Sequence, residues 1–298
     1  MKIITLTLNP AYDVHCHVGE LTVGKESLLT PVSRDAGGKG INIARALKVL
    51  GISSENIVVL GEASSVDFIS LLEREGLNSR TVAVEGRIRE NITVTEDSGR
   101  ETRLSFPGFL ADDELLYRVG EIVYPTVDFD TVVTFSGRLP EGITHGAMMD
   151  FLLGFKERGA KLVLDSHALS REDICLLGPW LVKPNLEEAP RYLGKDIENG
   201  ALRLSEEGVE NVVVSLGGDG AILASGGKLY RVRAPKIEPL STVGAGDSSL
   251  AGFICAAACE LSKENLLRFA VAMGSAACLA PGTSAPSRED FERLLKEI

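Results

Sequence analysis

Short apolar runs alternate with helix-periodic stretches along most of the chain. Residues 2–8 (KIITLTL), 56–61 (NIVVLG), 130–135 (DTVVTF), 160–165 (AKLVLD), 180–183 (WLVK) and 211–216 (NVVVSL) are β-branched and nearly continuous, and predict strands. Runs without polar alternation suit parallel strands covered on both faces. Helical spacing predicts helices over 38–50, 66–75, 112–123, 145–158, 186–193 and 199–208. In the first of these, Ile41, Ala44, Leu47 and Leu50 share a face, and Gly51 ends the run. The β-α-β order predicts an α/β fold: a doubly wound, mostly parallel sheet with helices on both faces. The last third, 245–260, 263–280 and 287–297, reads as alanine-rich helices packed closely on that sheet.

Two stretches break the rhythm. Residues 12–34 and 80–106 alternate apolar and polar positions, and ENITVTEDSGRETRLSF reads as a hairpin around Asp97-Ser98-Gly99. They predict a small second sheet projecting from a single domain that spans 1–298. A sheet of that size cannot bury both faces alone, so it is expected to cover a site as a lid or to pair with another copy.

Composition narrows the function classes. The 298 residues carry 31 Lys+Arg against 42 Asp+Glu, a net charge of −11. With 44% hydrophobic and 24% charged residues the chain is globular rather than disordered. The acidic balance argues against a nucleic-acid partner. It leaves small anionic substrates open, because a few local cations suffice to hold a phosphate. No apolar run reaches the roughly 18 residues of a membrane span. The opening MKIITLTLNP reads as a strand and not as a signal peptide. The five cysteines are scattered and odd in number, which implies no disulfide framework, and Cys255 and Cys259 read as buried core residues among alanines. A cytoplasmic, reduced protein is the expectation. His15-Cys16-His17 puts two histidines on one strand face without a second ligand pair, and reads as a strand rather than a zinc site.

Four stretches carry candidate chemistry. In Ser241-Thr242-Val243-Gly244-Ala245-Gly246-Asp247-Ser248 the glycines let backbone N–H groups approach an anion at a helix N-terminus. Asp247 there is placed to take a proton from a hydroxyl. An anion cradle beside a carboxylate base is what phosphoryl transfer to an alcohol needs. The plain alternative is an Asp that caps its own helix. Asp35-Ala36-Gly37-Gly38-Lys39-Gly40-Ile41-Asn42 opens another helix with close-approach glycines and two polar side chains, and is neither GxxxxGK[ST] nor GxGxxG. Lys183-Pro184-Asn185-Leu186-Glu187-Glu188 follows a strand. Its Asn-x-x-Glu either organises water around Mg²⁺ or is an ordinary capping box. Val214-Ser215-Leu216-Gly217-Gly218-Asp219-Gly220 ends a strand in a glycine turn, beside a nucleotide or merely between two strands.

Together with the opening TLNPAYD, these stretches closely resemble the ribokinase-like (PfkB) family of carbohydrate kinases, from residue 3 to about residue 286. AGGKGIN, PWLVKPN, VSLGGDGA and STVGAGDS look most like the branch of 1-phosphofructokinases, tagatose-6-phosphate kinases and minor 6-phosphofructokinases. The resemblance implies Asp247 as general base and the amides of Gly244, Ala245 and Gly246 as the anion hole for the transferring phosphoryl group. It implies that Asp13 holds sugar hydroxyls, that Gly37, Gly38, Lys39 and Asn42 contact the sugar phosphate, and that Arg89 and Arg103 on the hairpin arms anchor its phosphate. Two guanidiniums suit a phosphate dianion better than one flexible lysine; the plain alternative is a pair of solvated strand charges. Ser136 would line the same pocket, and Lys25 resembles a lid lysine that reaches a neighbouring subunit's site. Lys183, Asn185 and Glu188 would serve ATP and Mg²⁺, Glu188 through water. Ser215, Gly217 and Gly220 would flank the nucleotide, and Gly274 and Ser275 its adenine. A K⁺ site of backbone carbonyls would involve Ser241, Val243, Ala277, Ala280, Gly282 and Ser284. A homodimer through the β-lid is implied as well.

The chain departs from the branch at Arg138, where a small polar residue is usual, at 61–68 (GEASSVDF) and at 165–168 (DSHA). Arg138 adds a cation near the expected sugar site. GGKG, with Lys39, looks like the fructose-1-phosphate and tagatose-6-phosphate kinases, a resemblance that implies one of those acceptors. The hairpin arginines and AMGSAACLAPGT favour a 6-phosphofructokinase. Fructose 1-phosphate is the leading expectation. A catalytically silent sugar-phosphate-binding regulator would show a broken glycine loop or no base, and both motifs are intact. A NAD-dependent oxidoreductase would need GxGxxG where TLNPAYD stands.

Overall fold

A computed structural model describes residues 1–298. The first half runs β1 (Lys2–Thr7), β2 (Ala11–Val18), β3 (Thr30–Gly37), α1 (Lys39–Val49), β4 (Glu55–Gly61), α2 (Ser65–Arg74), β5 (Ser79–Val84), β6 (Arg89–Glu96) and β7 (Glu101–Ser105). Next come α3 (Glu114–Val123), β8 (Thr131–Ser136), α4 (His145–Glu157), β9 (Lys161–Asp165), α5 (Arg171–Leu177), β10 (Leu181–Val182), α6 (Ala189–Leu193) and α7 (Ile197–Glu206). The chain ends with β11 (Asn211–Ser215), β12 (Ala221–Ser225), β13 (Lys228–Val232), α8 (Ala245–Ala258), α9 (Lys263–Ala277) and α10 (Arg288–Glu297).

Nine strands form one sheet in the order β13-β12-β11-β10-β9-β8-β1-β4-β5, parallel from β5 to β11, with β12 and β13 antiparallel at one edge. Successive residues feed opposite cores. Ile4 and Leu6 join Leu116, Phe151 and Leu204 on one side, while Ile3 joins Leu47, Leu250 and Leu267 on the other. Burial on both faces is why these strands read as continuous apolar runs.

The predicted doubly wound, mostly parallel sheet is observed, with differences. Residues 80–84 were expected in the small sheet, but β5 pairs in parallel with β4 as the far edge of the large sheet. Its alternating burial arises because an edge strand shows one face to solvent, so alternation there does not mark a separate sheet. Helix α5 is additional; Ser170 and Asp173 form a reciprocal capping box at its start. The β12–β13 hairpin is also additional, turning on Gly226 and Gly227, both at positive φ. Cys255 is buried but Cys259, expected in the core, is exposed, because α8 ends there.

The second sheet has four strands in the order β3-β2-β6-β7. The hairpin β6–β7 forms as expected, and β6 lies parallel to β2. Tyr12 of β2 packs edge-on against Phe68 of α2, at 5.1 Å between ring centroids, and seats this sheet on the main domain. His15 lies against Gly282, and His17 pairs with Asp97 at 3.0 Å. Val32, Leu104 and Phe106 are exposed on or beside the sheet.

Candidate active site

From β1 the chain builds outward through β4 and β5, then returns to place β8 on the other side of β1. A doubly wound sheet opens a crevice at the carboxyl ends of strands at such a reversal. The carboxyl ends of β1, β8, β9 and β10 supply Asn9, Ser136, Asp165 and Lys183 there, and α1 and α8 begin beside them.

Two glycines explain why α1 can begin so close to the sheet. Gly38 sits at φ 137, and a Cβ on it would press on Thr7; a Cβ on Gly37 would occupy the space of the Asp13 carboxylate. No acidic side chain occupies the first turn of α1, so its N-terminus is left for an anion. Helix α8 starts from Gly244 at φ 75.

Asp247 stands in the first turn of α8 and does not cap its own helix. Instead its Oδ2 accepts a hydrogen bond of 2.8 Å from Asn42 Nδ2, across the gap between the two helix starts. Burial, with the charge of Asp165, pushes its pKa up to about 6, while Lys39, Asn42 and Lys183 pull it down. Such a value suits a group that must be ionised near neutrality and still hold a proton well. Lys39 Nζ donates to Asp165 Oδ2 at 3.0 Å. Burial works against the Lys39 charge, but Asp165 and then Asp247 hold its pKa above the ordinary value. Burial likewise opposes the charge of Asp165, and Lys183 and Lys39 more than offset it, lowering that pKa. Lys183 is 4% exposed, and a Cβ on Gly246 would lie 3.2 Å from its Nζ. Two buried carboxylates and two ammonium groups therefore alternate beneath the glycine loop.

The second sheet supplies the other wall. Asp13 Oδ1 accepts from Asn91 Nδ2 at 2.8 Å, and Asn91 Oδ1 accepts from Arg89 Nη1 at 3.1 Å. Arg103 Nη2 lies 3.9 Å from Asp13 Oδ1. Burial lowers the pKa of Arg89; Asp13 counters this, and Arg138 and Arg103 lower it further. Arg89 and Arg103 thus share one neighbouring carboxylate, and Arg138 stands close enough to Arg89 to repel it. Asn9 ties Arg89 to the segment around Arg138, accepting from Arg89 Nε on its carbonyl (3.4 Å) and donating its amide to the Leu139 carbonyl (3.1 Å). Ser136 Oγ is buried with no hydrogen-bond partner.

On the β10–β11 side, Asn185 and Glu188 bond reciprocally across the turn before α6. Asn185 Oδ1 accepts from the Glu188 N–H, and Glu188 Oε2 accepts from the Asn185 N–H, each at 3.0 Å. Glu188 Oε1 also meets His167 Nε2 at 3.0 Å. Both carboxylate oxygens are engaged, which suits the expected action on Mg²⁺ through water rather than directly. Ser215 pairs with Asn185 across a β-bridge. Gly217 opens the turn after β11 with open space where a Cβ would stand, whereas Gly220 is required because a Cβ would overlap the Val232 carbonyl. Gly274 lets α9 approach the first turns of α8, against Ala245 and Ser249, and Ser275 beside it is buried. The loops holding Ser241 and Val243 and holding Ala280, Gly282 and Ser284 are tied through the Cys278 carbonyl, which accepts from Leu240 and Ser241. The carbonyls of Val243, Ala280, Gly282 and Ser284 accept no hydrogen bond from the protein, whereas that of Ala277 accepts from Ala280. The free carbonyls fit a weakly hydrated monovalent cation. Lys25 is exposed in the turn between β2 and β3 and touches none of these groups.

Sequence reasoning passed over Asn91, Asp165 and Asn9. Asn91 was within reach, two residues from Arg89 on the same strand face. Asp165 had its position at a strand's carboxyl end and its place in the DSHA departure, with no role attached.

The chain is similar to known proteins along nearly its whole length. The profile described as "pfkB family carbohydrate kinase" matches residues 11–290. The 1-phosphofructokinase of Escherichia coli K12 is 33% identical over 309 residues, covering 100% of this chain and 97% of its own. The ATP-dependent 6-phosphofructokinase isozyme 2 of the same organism is 31% identical, covering 99% and 98%. A crystal structure of phosphofructokinase-2 from E. coli in complex with potassium superposes with a TM-score of 0.92 at 30% identity, covering 99% of this chain and 98% of that one. Another structure of that E. coli protein is a tetrameric inhibited form.

Proposed function

This chain belongs to the PfkB family of carbohydrate kinases and is an ATP-dependent sugar-phosphate kinase; we propose that it transfers the γ-phosphoryl group of ATP to fructose 1-phosphate. The observation that carries this reading is the buried Asp247 carboxylate, facing the open start of α1 with a group of arginines on the wall beyond. Asp247 takes the proton of the attacking hydroxyl. The amides of Gly244, Ala245 and Gly246 and the positive end of α8 receive the charge that develops on the transferring group. Lys183 lies beneath that loop and adds a fixed charge.

On the acceptor side, Asp13 orients sugar hydroxyls while Arg89 and Arg103 hold the existing phosphate. Lys39, tied to Asp165, serves the charge network around Asp247 more than it serves the phosphate. Arg138, exposed and without an ion pair, is the freest of the three guanidiniums and completes the phosphate anchor. Asn185 and Glu188 would hold the water shell of Mg²⁺, which when bound neutralises charge on the nucleotide phosphates. The free carbonyls of the 243 and 280–284 segments would hold K⁺. The second sheet acts as a lid that excludes water, since an open site would hydrolyse ATP. Its exposed Val32, Leu104 and Phe106 form the contact of a homodimer that brings Lys25 to the partner's site.

The relatives named 1-phosphofructokinase and the GGKG start of α1 favour fructose 1-phosphate; the likeness to phosphofructokinase-2 favours fructose 6-phosphate as the second reading. An ADP-release assay across fructose 1-phosphate, fructose 6-phosphate, tagatose 6-phosphate and unphosphorylated sugars decides. The expected result is the highest kcat/KM on fructose 1-phosphate. Turnover on unphosphorylated sugars alone would refute the arginine anchor.

A further inference from the structure

Arg45 lies one turn beyond Asn42 on α1, is 9% exposed and belongs to no motif. Its Nε and Nη2 donate to the two carboxylate oxygens of Glu75 at 2.6 and 2.8 Å. Nη2 also donates to the Ala36 carbonyl at 2.8 Å, and Nη1 donates to Asn42 Oδ1 at 2.9 Å and to the Thr283 carbonyl at 3.3 Å. A guanidinium carries donors and no acceptor. The Asn42 amide can therefore face Arg45 only with its oxygen, which leaves its N–H₂ for Asp247 at 2.8 Å.

We propose that Arg45 is a positioning residue that locks the Asn42 amide with its N–H toward Asp247, and ties that orientation to the end of β3 and to the 281–284 loop. The lock has a chemical consequence. An ionised carboxylate accepts the amide N–H; a protonated one can still accept it on its carbonyl oxygen, but its own O–H would find an acceptor in the amide only if the amide turned its oxygen round. Arg45 forbids the turn, so the ionised base is favoured. The other charged groups facing Asp247 are Lys39 from α1, Asp165 from the end of β9 and Lys183 after β10, and none of them contacts Arg45.

This inference rests on Asp247 being the base, and the test separates the two. Arg45→Gln offers both a donor and an acceptor and no longer dictates the amide, whereas Arg45→Lys still offers donors alone. For Arg45→Gln the acid limb of the kcat profile should move up by about one pH unit, with little loss at pH 8. Arg45→Lys should keep the wild-type limb even where its thermal midpoint falls. An unmoved limb in Arg45→Gln, or an equal shift in Arg45→Lys, overturns the proposal and leaves Arg45 as structural support. If Asp247→Asn in the same series keeps near-normal turnover, the base assignment fails instead. Should Arg45→Gln not fold, Glu75→Ala frees the guanidinium from its anchor. A smaller shift in the same direction supports the proposal, and none overturns it.

Discussion

Asp247 sits where function and stability oppose each other. Its folded pKa of about 6 lies above the 3.8 of an exposed aspartate, so the folded state binds its proton more tightly than the unfolded state does. The cost of burying its charge is absent below about pH 4, grows as pH rises through about 6, and is complete above that. Asp247→Asn should therefore lower kcat by roughly 10²–10⁴-fold while raising the stability of the free protein at pH 8 by about 1–3 kcal/mol. Denaturant unfolding at pH 8 and pH 4 checks this; a gain that is the same at both would contradict the linkage. In the wild type, kcat should fall as pH drops through about 6. Arg103→Ala should raise KM for the sugar phosphate roughly 10–100-fold, the worth of a charge-assisted hydrogen bond, with KM for ATP unchanged. Initial rates with each substrate varied in turn would show it. At this scale the charged residues of the motifs were legible. Arg45 was not, because an arginine on a helix looks ordinary until its partners, distant in sequence, are known.

At the scale of elements, the entry to α1 links the two walls of the cleft. Gly37 is the last residue of β3, and its missing side chain makes room for the Asp13 carboxylate of the neighbouring strand β2. Gly37→Ala should displace Asp13 and raise KM for the acceptor several-fold, leaving nucleotide binding intact; titration calorimetry with each ligand separates the two. The second sheet offers another test. Leu104 is 49% exposed and Phe106 53%. If these side chains form the proposed contact between copies, Leu104→Asp should give a species of 31.8 kDa in sedimentation, with wild type larger. Wild type sedimenting as a monomer would remove the dimer. The hairpin β6–β7 was readable because its alternation reports one covered face. The same alternation misled at β5, since local periodicity tells that a face is open but not which sheet the strand joins.

Over the whole molecule, a net charge of −11 surrounds a cleft into which Lys39, Arg89, Arg103, Arg138 and Lys183 converge. Salt screens the exposed members of that group. Between about 0.05 and 0.5 M ionic strength, KM for the sugar phosphate should rise more in wild type than in Arg103→Ala; steady-state kinetics across that range would check it. The apolar runs and their β-α-β order, by themselves, determined a mostly parallel sheet with two cores, because burial on both faces leaves a continuous apolar run in each inner strand. The glycine-rich helix starts likewise pointed to a held anion, since their backbone freedom is written into residue type. Only the tertiary structure decided which charges neutralise one another. Lys39 is tied to Asp165, 126 positions away, and Asn42 to Asp247, 205 positions away. Those pairings depend on strand order and on the meeting of two helix ends, and Coulomb forces, screened over about 10 Å at 0.1 M salt, follow separation in space and leave no period for a sequence to show.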